Sequence, residues 1–207
     1  SQRPLVTEPI GVEPEQLPPP IDGQQLFGNN NPVEIEIGCG KGTFITTQAL
    51  ARPEVNFFGI EWARWFWRYT CDRLRRHDVK NARAIRADAG YFLDEFVPEA
   101  SVSVLHIYFP DPWPKARHHK RRLVQTKFMP KVQRILQPGG RVQVVTDHAG
   151  YWEEAIEPAL RTSGLTILDY APPVTAREGE TVGTNFERKF IAEGRPFYSI
   201  VGRKDHD

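Results

Sequence analysis

From residue 33 onward, short apolar runs alternate with stretches of helical periodicity, and that alternation leaves few architectures open. Residues 33–37, 56–60, 82–87, 102–109, 141–146, 165–170 and 197–202 have the length and apolar character of strands. Residues 43–51, 63–77, 126–136 and 151–163 read as helices, and Pro138-Gly139-Gly140 stops the third of these. Strands separated by helices predict an α/β fold, a mostly parallel seven-stranded sheet with helices on both faces. A chain of 207 residues is long enough to bury the core of one such domain, placed at residues 33–207. Residues 1–32 read as an irregular arm, frayed or draped over the surface. Pro14, Pro18, Pro19 and Pro20 oppose a helix there, and Asn29-Asn30-Asn31-Pro32 has the composition of a turn.

Open α/β sheets bind ligands beyond the carboxyl ends of their strands. Five predicted strands carry an acid at or near that end: Glu36, Glu61, Asp88, Asp111 and Asp147. One such acid is often only a helix N-cap, but five along one rim repel one another unless a ligand or donor satisfies them. The first strand runs into Gly38-x-Gly40-x-Gly42, where missing Cβ atoms let the backbone pass close to a ligand. The third glycine comes one residue too early for the dinucleotide fingerprint, and the Gly-Lys-Ser/Thr of a phosphate loop is absent. Glu36 lies within the strand end, where a carboxylate is costly to bury without a partner such as a cationic amino acid ligand. Glu61 follows the last glycine by 61 − 42 = 19 residues, the position from which a carboxylate grips ribose hydroxyls. Asp88 is placed to reach an adenine amino group. A ribose, an adenine and an ammonium group without phosphates describe S-adenosylmethionine, the expected cofactor.

The formal net charge is only +1, so a nucleic-acid partner has to be read from where charge is placed. Three prolines within residues 110–114 stiffen a loop that carries Asp111 and Trp113. Lys115, Arg117, Lys120, Arg121 and Arg122 follow, with His118 and His119 between them. Such a run is usually a solvated face. Here it abuts a rigid acid-plus-aromatic loop at a strand end, where phosphate contacts would hold a nucleotide over the site. The sequence opens with no charged-then-apolar leader, has no apolar run near the ~20 residues of a membrane helix, and pairs no cysteine in C-x-x-C. These features imply an unexported cytoplasmic protein with no membrane association and no metal site.

Together these segments resemble the bacterial tRNA (guanine-N7-)-methyltransferases, Rossmann-like class I enzymes, over roughly residues 33–203. The motifs that carry the resemblance are Glu36-Ile-Gly-Cys-Gly-Lys-Gly42, Gly59-Ile-Glu61, Asp88-Ala89, Phe109-Pro-Asp-Pro-Trp-Pro-Lys115 with its basic tail, Thr146-Asp147 and Thr184-Asn-Phe-Glu187. The resemblance implies methylation of guanine 46 in the tRNA variable region by a monomer or homodimer. It assigns Glu36, Gly38, Gly40, Gly42, Glu61, Asp88, Ala89 and Asp111 to the cofactor, with Asp111 also catalytic. It assigns Lys115, Asp147, Thr184, Asn185, Phe186 and Glu187 to the guanosine, and Arg117, His118, His119, Lys120, Arg121 and Arg122 to RNA. Asn185 stands where the family often has lysine, and His148 where an aromatic is frequent. Within the aromatic stretch 62–69, Trp62, Phe66 and Tyr69 fall on one helical face and are expected to pack inward. A SAM-dependent methyltransferase of another RNA, a protein or a small molecule would share the glycine segment and Glu61, and one acting on a protein or a small molecule would have no use for the basic tail.

Overall fold

The structure, a computed structural model, describes residues 3–206, and within these it leaves out the side chains of Asn185 and Phe186. The chain forms two compact units, residues 1–98 and 99–207.

The first unit contains strands β1 (Gly11–Val12), β2 (Val33–Ile37), β3 (Asn56–Ile60) and β4 (Ala82–Ile85). They lie in the order β1-β4-β3-β2, and every pairing is parallel. Helices α1 (Gly23–Phe27), α2 (Thr43–Ala51), α3 (Arg64–Arg76) and α4 (Ala89–Phe96) connect and flank them. Ile45, Ala49, Phe57, Trp67, Cys71 and Leu74 form the core, together with Ala82 and Ala84.

Residues 3–32 are more regular than the sequence suggests. Ile10, Leu17 and Ile21 are buried, and Gly11 pairs with Ala84 and Val12 with Ile85, which adds an eighth strand to the seven expected. Gly11 fits beside α3 because it has no Cβ, which would stand 2.8 Å from the Trp67 ring. The inward face of α3 is also shifted from expectation. Trp67, Thr70, Cys71 and Leu74 are buried, and the Trp67 indole N–H donates to the Ala84 carbonyl at 2.8 Å. Trp62 lies ahead of the helix and is 67 % exposed, so the face read from Trp62, Phe66 and Tyr69 is not the packed one. The small residues Thr70 and Cys71 complete the true stripe at helical spacing.

The second unit contains β5 (Val102–Tyr108), β6 (Leu136–Thr146), β7 (Thr166–Leu168) and β8 (Tyr198–Arg203), in the order β5-β6-β8-β7. β5 and β6 are parallel, while β8 runs antiparallel to both β6 and β7. A 3-10 turn (Thr126–Phe128) leads into α5 (Met129–Ile135). A continuous helix follows β6: α6 (Ala149–Tyr151), a π segment (Trp152–Ile156) and α7 (Glu157–Arg161). The last helix is α8 (Asn185–Ala192). Neither α4 nor α8 announces itself in the periodicity, since each spans only eight residues. Each is set by a side-chain cap, from Asp88 to the Tyr91 amide and from Thr184 to the Glu187 amide.

Among the described residues, no helix is long and apolar enough to cross a membrane, and no group of three or more His, Cys, Asp or Glu could hold a metal ion.

Candidate functional site

In the first unit β2 ends in a turn that only glycine accommodates without strain. Gly38, Gly40 and Gly42 have φ of +73°, +52° and +73°, a region costly for residues with a Cβ. A Cβ on Gly38 or Gly40 would meet nothing within 4 Å, so the turn faces open space there. At Gly42 it would strike Thr70 at 2.7 Å. The turn is fastened from several sides. The Gly38 amide donates to the Ile60 carbonyl at 2.8 Å, and the Gly40 amide to Glu61 Oε2 at 2.9 Å. The Thr70 hydroxyl donates to the Gly40 carbonyl at 2.7 Å, and Arg73 Nη1 donates to the Lys41 carbonyl at 3.1 Å. Glu61 Oε1 also accepts from the Ala63 amide at 3.1 Å. Glu61 therefore braces the glycine turn, a role sequence spacing alone did not give it. Thr70 and Arg73, 28 or more positions from the glycines, carried no sequence signal for their part in it.

Two glutamates of β2 sit in contrasting environments. Glu34 is buried and answered by the Arg52 guanidinium. Glu36 is also buried, 6 % exposed, and its Oε2 has no hydrogen-bond partner. Burial, and next the negative charge of Glu61, push the Glu36 carboxyl up to about 8, against a smaller opposing effect of a hydrogen bond from the Ile45 backbone. An unsatisfied buried carboxyl costs stability unless something outside the chain answers it. It lies next to an open glycine turn, so a cationic or hydrogen-bond-donating ligand group fits it. Asp88 takes the N-cap position of α4, accepting from the Tyr91 amide at 2.9 Å, and remains exposed beside Ala89.

In the second unit β5 delivers the proline loop. Phe109 and Trp113 both take positive φ, +49° and +43°, which bends the chain sharply on either side of Asp111. The Phe109 ring is wedged edge-on against Phe190 and Phe197, each 5.5 Å away. Asp111 is exposed, and its Oδ1 accepts from the Trp113 amide at 3.2 Å. The basic residues form a 3-10 turn, Ala116–Arg121, in which Arg117, Lys120 and Arg121 are exposed, and Lys115 just before it is exposed too. The Arg121 guanidinium lies over the Trp113 ring at 4.9 Å, and His118 meets the same ring edge-on.

Arg122 departs from the expected RNA role. It is 4 % exposed; its Nε donates to the Pro112 carbonyl at 2.7 Å, its Nη1 to Glu154 Oε2 at 2.9 Å, and its guanidinium lies over Tyr151 at 4.9 Å. It anchors the proline loop to the helix after β6. His119 is partly committed to the same anchor, 3.6 Å from Glu154.

Of the residues expected at the guanosine, Lys115 is exposed and Asp147 is held by Arg195 Nη1 at 2.7 Å. Thr184 caps α8. Glu187 is fully buried, and its carboxylate accepts from the amides of Thr181, Val182 and Gly183, the last two at 2.7 Å. It organises the loop before α8 and offers no free oxygen, so a direct substrate contact by Glu187 does not fit. The side chains of Asn185 and Phe186 lie outside the described residues. His148 has a clear local task, its Nδ1 accepting from the Tyr151 amide at 2.9 Å as the cap of α6.

Comparison with known proteins identifies the family and the fold. Residues 30–200 fit a family described as "Putative methyltransferase". The chain is 36 % identical to a tRNA (guanine-N(7)-)-methyltransferase of Geobacter metallireducens, across 96 % of this chain and 94 % of the relative. It is 38 % identical to the protein of the same name from Rhodopirellula baltica, across 92 % and 73 %. Solved structures similar to it include the aminoglycoside resistance methyltransferase NpmB1, with a TM-score of 0.61 at 15 % identity, across 87 % of this chain and 91 % of that one. A SAM-dependent methyltransferase from Aquifex aeolicus gives a TM-score of 0.56 at 11 % identity, across 87 % and 92 %. At such identities the structures speak for the fold alone, and that fold is the Rossmann-like class I methyltransferase fold. With relatives above 30 % identity along nearly its whole length, the chain belongs to the tRNA (guanine-N7-)-methyltransferase family.

Proposed function

We propose that this chain is a cytoplasmic enzyme that methylates N7 of a guanine in tRNA, at position 46 of the variable region, with S-adenosylmethionine as methyl donor. The observation that carries the reading is the unanswered Oε2 of Glu36 beside the open glycine turn, in a chain whose relatives are named for this reaction. Glu36 takes the ammonium group, Glu61 the ribose hydroxyls without releasing the Gly40 amide, and Asp88 with Ala89 the adenine. Gly38, Gly40 and Gly42 let the backbone approach. These assignments, and one methyltransferase domain over residues 33–207, rest on motif position together with the local geometry of each residue.

When bound, S-adenosylmethionine supplies a sulfonium methyl group that the N7 lone pair of guanine can take without any proton being removed. The chain therefore needs no strong general base, and its task is alignment and electrostatics. Asp111 has an oxygen open to solvent beyond its contact with the Trp113 amide, so it accepts from the guanine N1–H and amino group. It counters the positive charge that builds on the ring and discriminates against adenine, which lacks those donors. Asp147, fixed by Arg195, and Lys115 position the nucleoside. Arg117, His118, Lys120 and Arg121 hold phosphates.

Nucleoside analysis of tRNA after incubation with the protein and labelled S-adenosylmethionine tests the reading. Labelled 7-methylguanosine, lost when guanine 46 is replaced, is the expected product. Label in another nucleoside, or none, overturns it. Asp111→Asn should lower turnover by at least about tenfold, the loss of one charged hydrogen bond of 1.5–3 kcal/mol. Cofactor affinity should change far less, and equal losses would remove Asp111 from the guanosine.

A further inference from the structure

Helix α3 presents a surface that the reaction does not account for. Arg64, Trp65, Arg68 and Tyr69 stand at i, i+1, i+4 and i+5 and form one outward stripe, opposite the buried Trp67, Thr70, Cys71 and Leu74. Trp65 is 53 % exposed, an unusual place for so large an apolar group. Its ring lies 5.3 Å from Tyr69 at an interplanar angle of 32°. Lys41 of the glycine turn sits near both rings, 5.9 Å from Trp65 and 5.8 Å from Tyr69. Among the described residues none of Lys41, Arg64 or Arg68 is ion-paired, and the one acid of α3, Asp72, is buried under Arg3, Arg75 and Arg76. The exposed stripe of α3 is thus aromatic and cationic, and among the described residues the helix itself offers it no exposed carboxylate.

We infer that this stripe is a second RNA-binding platform, which stacks an unpaired base on Trp65 while Lys41, Arg64 and Arg68 hold the flanking phosphates. Cations interleaved with an exposed ring are the composition that single-stranded nucleic acid requires, since every base has a π face and every nucleotide a negative charge. A second copy of this chain is the poorer occupant. A self-complementary contact would bring together two sets of three cations without ion-pair partners, although Arg68 also donates to the Leu5 carbonyl, and like-charge juxtaposition disfavours association. The platform adjoins the glycine turn through Lys41, and Arg73 and Thr70 of the same helix hold that turn. RNA seated here would therefore press on the segment assigned to the methyl donor. The inference rests on the proposed activity, and deepens it by giving the tRNA a contact surface on the first unit in addition to the basic turn after Trp113.

The test uses the full chain, with Trp65→Ala and Arg64→Ala/Arg68→Ala variants, and tRNA affinity measured across a salt series. Trp65→Ala should weaken binding at least about fivefold, the lower end of a stacked base. The double variant should weaken it and flatten the log–log salt dependence by about 1 to 2 units. Circular dichroism and calorimetric titration with S-adenosylmethionine establish that each variant is folded and competent. Trp65→Phe should restore most of the stacking loss. Unchanged affinity and slope in both variants overturn the proposal. So does sedimentation showing a wild-type dimer that Trp65→Ala dissociates without changing tRNA affinity. Wild-type methylation is scored alongside, so failure of the enzymatic reading shows as absence of product from the wild-type chain, whereas failure of the platform shows as normal product with unaltered variants.

Discussion

Replacing Glu36 by Gln keeps the size of the side chain and removes its ionisation. In the folded chain the Glu36 carboxyl titrates near 8 against an ordinary 4.5, so the native state holds the proton more tightly than the unfolded one. Below pH 4.5 both states are protonated and the stabilising difference is fully present. As pH rises towards 8 the unfolded chain ionises first, and stability drains at about 1.4 kcal/mol per pH unit. Between pH 5 and 7.5 the loss amounts to about 3 kcal/mol, an upper figure for a group whose surroundings can relax. The Gln variant has no such slope. Without ligand it should therefore gain on the wild type as pH rises, by about 10 °C in melting temperature at pH 7.5 relative to pH 5 for a chain of this size. The same substitution should weaken S-adenosylmethionine binding about 10- to 100-fold, since a charge-assisted hydrogen bond to the ammonium group is lost. Wild-type binding at pH 7 should release close to one proton, read by titration calorimetry in two buffers of different ionisation enthalpy. Parallel melting profiles for the two proteins across this pH range, or undiminished affinity in the variant, would refute the reasoning.

The two arginines that end the basic run should behave differently. Arg121→Ala should weaken tRNA binding and reduce its salt slope by about 1 with little change in melting temperature, because the side chain is exposed over Trp113. Arg122→Ala should cost about 1–3 kcal/mol of stability by leaving the Pro112 carbonyl without its donor and removing the buried guanidinium packed over Tyr151, seen as a lowered melting temperature before any RNA is added. Gly40→Ala should cost only about 1–2 kcal/mol in stability, the left-handed strain alone, since its Cβ meets nothing within 4 Å. Its cofactor affinity should fall much further, because the methyl group stands in the opening, and calorimetry showing no such fall would mean that no ligand occupies that space.

Strand positions and the glycine turn were legible because local pattern dictates them. Alternation of apolar residues sets β2 and an apolar run sets β3, and a chain that must turn left-handed at residues 38, 40 and 42 requires glycine. The ends of the chain were less legible. Two residues sufficed for β1, whose pairing with β4 depends on a groove that Trp67 and Gly11 make together, and no short-range pattern encodes it. Charged side chains were the hardest to read. Glu34 and Glu36 are two positions apart and alike in sequence, and only the fold reveals that Arg52 answers one of them. Arg121 and Arg122 are adjacent and chemically identical, yet one faces solvent and the other is buried against Tyr151. Glu187 lies in a recognisable motif, but its carboxylate is committed to three amides of its own loop.

The π segment after β6 governs how the proline loop is held. Tyr151 and Ile156, five positions apart, are both fully buried, and the Glu157 amide reaches back to the Trp152 carbonyl. A regular helix advances about 100° per residue, so one residue fewer in this stretch would rotate everything beyond it by that angle relative to what precedes. Ala159 and Leu160 could then stay in the core only by swinging Tyr151 and Glu154 away from Arg122, or the reverse. The widened turn lets one helix serve two orientations, and a single deletion between Trp152 and Ile156 would force it to abandon one of them.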